Sequence, residues 1–312
     1  MSGATDPGRS CPLAYRYSAA VFDRPPELQT ETLYVVGGLY GNICALDAIE
    51  ALFAHEVGPK RMVFNGDFHW FDADAALFAQ VDQRVTGHYA LRGNVETELA
   101  NDDDSAGCGC AYPDDVDDGA VARSNAILLQ LRGVARQHPA LRARLGQLPM
   151  HAVAQVGDSR IGIVHGDAES LAGWRFDPAA LDNPAGQPWL QKVFAQAGVD
   201  IFASSHTCAP ALRKLAPRGL VINNGAAGMA SLRGRSSGLL TRISLHPAPT
   251  ALPVVQQIQS GNTHIQSVRV DFDNTRWQQQ FLALWPAGSA AHVSYWQRIT
   301  RGLPGAEERA LL

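Results

Sequence analysis

Five short polar stretches interrupt apolar runs along this chain: Gly38 to Asn42 after LYVV, Gly66-Asp67 after RMVFN, Gly93-Asn94 after HYALR, His165-Gly166-Asp167 after RIGIV, and Ser205-His206-Thr207-Cys208 after DIFAS. Carboxylate, amide and imidazole groups are the ones that move protons and ligate metals, and α/β proteins assemble such sites where strands end. Each stretch alone has a plainer reading: Asp67 as a turn or helix-capping residue, Asn94 as a turn amide, either histidine as a hydrogen-bonded core side chain. Because all five follow strand-like runs, they are expected to meet at one edge of a sheet.

The surrounding elements fit that expectation. ETLYVVGG leads into the helix-like ALDAIEALFAHE and RMVFNGD into ADAALFAQVDQ, two βα units that imply a parallel sheet covered on both faces. HYALRGN adds a third strand, and YRYSAAVF reads as an earlier one before the turn at Pro25 and Pro26. Between Asn101 and Gly119 the chain carries seven aspartates and the CGC triplet at Cys108 to Cys110, a loop long enough to act as a lid. Apolar residues at helical spacing follow, so about 98–149 forms a loop-plus-helix insertion. RIGIVHGD, VDIFASSH and GLVINNG resume the strands, and GLLTRISLH with IQSVRVDFD suggests a hairpin or meander. From about 274 to 312 the tail is aromatic and helical; Trp277, Trp285, Tyr295 and Trp296 there either pack on their own core or mark a homo-oligomer contact.

With 312 residues, 46% of them hydrophobic, the chain can bury the core of one elaborated domain spanning 1–312. A formal net charge of -4, with arginines scattered singly, leaves no electrostatic footprint for nucleic acid or an anionic membrane. No window reaches the roughly 18 uninterrupted apolar residues of a membrane span, and the first residues lack the order of a signal peptide. Five cysteines, an odd number, fit free thiols in a reducing compartment better than a disulfide framework. A soluble cytoplasmic protein is the expectation.

Taken in order, the five stretches resemble the signature of the calcineurin-like metallophosphoesterase family, particularly its compact bacterial members: DxHGN, GD, GNH followed by Asp or Glu, a lone His after a strand, and GHxH. Here they stand as Gly38-Leu39-Tyr40-Gly41-Asn42, Gly66-Asp67, Gly93-Asn94-Val95-Glu96, His165-Gly166 and Ser205-His206-Thr207-Cys208. INNGAAG, Ile222 to Gly228, looks like the family's INPGSVG turn, and the resemblance covers about Thr32 to Ser231. It implies an α/β sandwich, with two central mixed β-sheets flanked by helices. It also implies a site where two metal ions, bridged by the GD aspartate, clamp a phosphoryl group and acidify water.

Carried over residue by residue, the family's site divides. Asp67, Asn94, His165 and His206 stand at the second-metal positions, whereas every position serving only the first metal is changed: Gly38 for the acid, Tyr40 for the histidine, Cys208 for the last histidine. The resemblance therefore implies one retained divalent transition metal per chain, Mn, Fe, Zn, Co or Ni. Tyr40 and Cys208 are either replacement ligands through deprotonated oxygen and sulfur or fillers of the space the first ion left. Val95 stands where the family often has a histidine that assists the leaving group. Arg92 is a candidate to pair with a substrate phosphate or to support its turn. His69 is a candidate substrate contact or proton donor, or part of an aromatic-packed turn in which Asp72 caps the next helix. Trp174 borders a pocket or belongs to the core, and the CxC pair is either a metal or redox feature or two loop thiols.

These expectations add up to a metal-dependent phosphoesterase-like hydrolase acting on a small phosphorylated substrate, slow on generic phosphoesters. The alternative is a non-catalytic metal-containing protein that binds a ligand or partner on the same fold.

Overall fold

The computed structural model describes residues 6–215 and 219–302, so the expected tail is described as far as Gly302. Two six-stranded sheets face each other. Numbered in chain order, one runs β1 (Leu28–Thr30), β5 (His151–Val156), β6 (Ser159–Val164), β7 (Ile201–Ser204), β9 (Leu220–Asn223), β8 (Ala211–Lys214). The other runs β11 (Val254–Ser260), β12 (Thr263–Val270), β10 (Gly238–Ser244), β2 (Thr32–Val36), β3 (Lys60–Asn65), β4 (Tyr89–Leu91). Each sheet contains a parallel run, β2, β3 and β4 at one end of the second and β6, β7 and β9 inside the first, continued by antiparallel pairings through β10 and through β5 and β8, while β1 joins β5 in parallel. This is the expected sandwich of two mixed sheets flanked by helices.

The continuous apolar run of β2 follows from its burial on both faces. Leu33 and Val35 point between the sheets and meet Val63, Ile161, Ile163, Ala203 and Ile222. Tyr34 and Val36 point the other way, under α1 (Ile43–Ala54) and α2 (Ala75–Val85). Behind β3 and β4 lie α3 (Asn94–Ala100), α4 (Asp118–Ala135) and α5 (Pro139–Gln147), the last two following the acidic loop. α6 (Pro178–Asp182) and α7 (Gln187–Ala197) precede β7, and α7 covers the outer face of its sheet through Val193 and Phe194. α8 (Asn274–Leu284) and α9 (Ala290–Arg301) bury Trp277 and Trp285 in the core, and Trp296 stacks on Phe281. Among the described residues no helix is long and apolar enough to cross a membrane.

Two local expectations are corrected. YRYSAAVF is not a strand but two short 3-10 turns, Leu13–Tyr15 and Ala19–Phe22; the Ser18 side chain caps the second by accepting from the Ala20 amide, and Phe22 packs edge-on against Phe202. β10 and β12 do pair antiparallel, but not as a hairpin. The polar-rich β11, between them in sequence, pairs with the far side of β12 and forms the sheet edge.

Candidate metal centre

Asp67 sits just past the end of β3, where Gly66 and Asp67 both adopt left-handed backbone (φ 75 and 52). Gly66 is required: a Cβ there would lie 2.5 Å from the Gly93 nitrogen and 2.6 Å from Nδ1 of His165. A non-glycine residue in this conformation is uncommon and concentrates at functional sites. The turn is held by Glu96, whose fully buried carboxylate accepts from the backbone amides of Asp67 (2.8 Å), Phe68 (3.0 Å), His69 (3.2 Å) and Gly93 (2.8 Å). One side chain thus ties the GD turn to the GN turn, leaving the Asp67 carboxylate to face the cavity.

Four electron-pair donors converge there. His165 donates through Nδ1 to the Asn65 carbonyl (2.9 Å), which turns its Nε2 inward, 3.4 Å from Oδ1 of Asp67 and 3.1 Å from Oδ1 of Asn94. The Asn94 amide is oriented by donating Nδ2 to the Cys108 carbonyl (2.9 Å). His206 donates Nε2 to the Cys110 carbonyl (3.0 Å), so its Nδ1 lone pair also points inward, 3.1 Å from Nε2 of His165. The ligating atoms of Asp67, His165 and His206 all lie within 4.8 Å of one another, and all three residues are buried.

Burial, and then the neighbouring His165, push His206 down to about 3, so its imidazole is neutral. Burial also opposes charge on His165, but the Asp67 carboxylate outweighs it and raises that imidazole above its ordinary value. The inward Nε2 of His165 therefore faces three electron-pair donors, the Asp67 carboxylate, the Asn94 amide oxygen and Nδ1 of His206. A divalent cation can engage all four groups once the imidazoles and the carboxylate are deprotonated, as ligation requires. Each imidazole already has its other nitrogen committed to a carbonyl, which fixes the ligating tautomer. The donor set fits one such ion.

The three positions changed from the family signature lie together. Tyr40 and Cys208 both have left-handed backbone (φ 56 and 56), and the phenol oxygen lies 2.6 Å from the sulfur. A Cβ on Gly38 would meet the Tyr40 ring at 3.0 Å, so that ring occupies the space an acid at 38 would need. Burial raises both the phenol and the thiol above their ordinary values. Protonated and paired with each other, they have the arrangement of space-fillers rather than anionic ligands.

Two other sequence candidates, His69 and Arg92, are placed away from the cavity. His69 is fully buried, its Nδ1 2.6 Å from Asp72 and its ring stacked on Phe78 at 3.8 Å. Asp74, not Asp72, caps α2 by accepting from Leu77, because Asp72 is committed to His69 and the Trp70 amide. Arg92 donates to the Gly146 carbonyl at the end of α5 and supports the turn. Cys108 and Cys110 are not free thiols: left-handed Gly109 brings their Cα atoms to 5.3 Å and they are joined as a disulfide. Their carbonyls orient Asn94 and His206, and Cys110 also accepts from Trp174 (3.0 Å), so the acidic loop is tied down beside the site.

Asp67, Asn94, Val95 and His206 open onto a cavity of about 180 Å³ whose other lining residues include Tyr40, Trp70, Tyr112, Trp174, Tyr295 and Arg298. Sequence reasoning missed Glu96, the two cysteine carbonyls and the α9 residues Tyr295 and Arg298. Glu96 had a signal, an acid at the third position of a helix opening on Gly93, where it accepts from the Gly93 amide as in the reach-back half of a capping box. The carbonyls had none, since backbone groups carry no residue signature.

No family model and no curated protein matches this chain. Among solved structures it is similar to a hypothetical protein from Pyrococcus horikoshii OT3 (TM-score 0.59, 14% identity, 88% of this chain and 99% of that one). It is also similar to a metallophosphoesterase from Sphaerobacter thermophilus (TM-score 0.53, 14% identity, 87% of this chain and 100% of that one). At such identity the likeness concerns architecture, and the chain has the calcineurin-like metallophosphoesterase fold.

Proposed function

We propose that this chain is a metal-dependent phosphoesterase-like hydrolase that holds one divalent transition metal ion through Asp67, Asn94, His165 and His206 and acts on a small phosphorylated substrate. The observation that carries the reading is the convergence of four buried donors, one carboxylate, one amide oxygen and two imidazoles, on one point of the cavity. A cation held there would supply Lewis acidity toward a phosphoryl oxygen and make a water more acidic. The chain's own contribution is order and exclusion. The Asn65 and Cys110 carbonyls hold the two imidazoles with lone pairs inward, Glu96 fixes the turn that presents Asp67, and aromatic walls thin the water around the charges, which strengthens every electrostatic contact.

A second reading, a non-catalytic protein that binds a phosphorylated ligand or a partner, draws support from Val95. That side chain lines the cavity where a proton-donating histidine would serve a leaving group. The two readings separate by elemental analysis of protein purified without a metal-binding tag, followed by turnover on mono- and diester panels after Mn, Fe or Zn loading. The hydrolase reading expects about one metal per chain and turnover lost in His165→Ala and His206→Ala. Stoichiometric metal with no turnover on any ester favours the binding protein, and absence of specific metal overturns both.

A further inference from the structure

The cavity contains one cationic side chain among its lining residues, Arg298. It comes from α9, well outside the segment that carries the motifs. Its Nε donates to the Ala230 carbonyl (2.9 Å) and its Nη2 to the Cys208 carbonyl (2.7 Å), anchoring the guanidinium to two loops of the site. The guanidinium also faces the Cys208 thiol, and Nη1 is the nitrogen that no backbone carbonyl engages. The charge therefore stands against Cys208, one of the three positions from which the first-metal ligands of the family signature are absent here, and is fixed rather than free to swing out on a long side chain.

We propose that the Arg298 guanidinium supplies the positive charge that a first metal would otherwise bring, binding a phosphoryl oxygen of the ligand in the cavity it lines. The proposal rests on the phosphoryl-binding site read above and names the residue that completes it. A guanidinium suits the task because it keeps its charge at any working pH and offers directional donors matched to tetrahedral oxyanions. The aromatic walls set the accompanying group. Tyr295 lies one turn before Arg298 on α9 with its ring edge-on to Trp70 at 6.4 Å, and Trp174 packs edge-on to His206 at 5.2 Å. At about 180 Å³ the cavity is smaller than the roughly 300–1,000 Å³ typical of pockets for drug-sized ligands. A phosphoryl group on a compact, flat organic moiety matches that space.

The test uses inorganic phosphate as probe and the full chain, both chelator-treated and Mn-loaded, with binding followed by titration calorimetry. Arg298→Gln keeps N–H donors for the Ala230 and Cys208 carbonyls but removes the charge; Arg298→Lys keeps the charge. The expected result is phosphate binding weakened at least about tenfold by the glutamine variant, the scale of one lost charged hydrogen bond. Metal content should be unchanged, and the lysine variant should retain most of the binding. Phosphate binding in Arg298→Gln equal to wild type, an equal loss in Arg298→Lys, or no phosphate binding by wild type in either form overturns the proposal. If wild type holds no metal yet metal-free binding still falls in Arg298→Gln, the hydrolase reading fails while this one stands.

Discussion

The phenol oxygen of Tyr40 lies 2.6 Å from the sulfur of Cys208, and the same ring closes the space beside Gly38. Three substitutions from the family signature are thus one packed unit, which is why restoring any one of them alone should achieve nothing. Gly38→Asp meets the Tyr40 ring, and Cys208→His leaves the acid and the other imidazole missing. The triple variant Gly38→Asp, Tyr40→His, Cys208→His is expected to raise bound metal from one to two ions per chain, since aspartate and histidine both tolerate the left-handed backbone at these positions. Elemental analysis reads the outcome. A folded triple variant that still holds a single ion would mean that more than these ligands separates this cavity from a two-metal site.

Glu96 should matter for stability out of proportion to its single charge. Its carboxylate receives four buried amides, and Glu96→Ala strands all of them away from water. Each stranded group costs about 1–3 kcal/mol, tempered by relaxation and entering water. The expected loss is roughly 3–5 kcal/mol, the scale of a broken buried charge network. Urea unfolding of the metal-free protein measures it. A loss below about 1 kcal/mol would show that the turn is held by other contacts.

The acidic loop acts on the site through its backbone. The carbonyls of Cys108 and Cys110 fix the Asn94 amide and the His206 tautomer, and the disulfide joins the residues that bear them. A Cys108→Ser, Cys110→Ser double variant is expected to weaken metal affinity by about 10-fold, at the lower end of what loss of ligand-orienting partners costs. Competition with a chromogenic chelator measures the change. Unaltered affinity would assign the carbonyl positions to the remaining anchors, such as the Cys108 amide bond to Asn125.

The reach of sequence reading follows from what each feature is made of. Strand ends announce themselves by apolar runs breaking into Gly and Asp, and the five stretches picked out that way do meet at one edge of the sandwich. Strands whose apolar residues are few or interrupted, β5, β8 and β11, gave no such break. His69 and Arg92 looked available because their neighbours are motif residues, but proximity in sequence does not say which way a side chain turns. Phe78 and Asp72 draw His69 inward, and the end of α5 takes Arg92. Arg298 escaped for the opposite reason. It reaches the cavity only because α9 folds back across α4 and its side chain donates to the carbonyls of Ala230 and Cys208, a contact spanning 90 residues in the case of Cys208.

The metal-free protein should lose stability on acidification below pH about 6.5, and His206 is the group that sets much of the slope. Burial and His165 depress its folded value to about 3 against an ordinary 6.5. Between those limits the unfolded chain takes up a proton that the folded chain refuses, so stability falls as pH falls, by up to about 1.4 kcal/mol per pH unit for one such group. His151, depressed to about 4 by burial and then by Arg24, acts in the same sense. His165, raised by Asp67, contributes stability that is fully present below 6.5 and fades only as pH rises above it. The carboxyls of Glu96, Glu98 and Asp167, pushed up by burial, oppose the loss as pH falls toward the ordinary carboxylate range. The difference between wild type and His206→Gln isolates the one imidazole. Urea unfolding from pH 6.5 to 5 should show a shallower loss in the variant, and equal slopes would mean that His206 takes up a proton as readily in the folded cavity as in the unfolded chain.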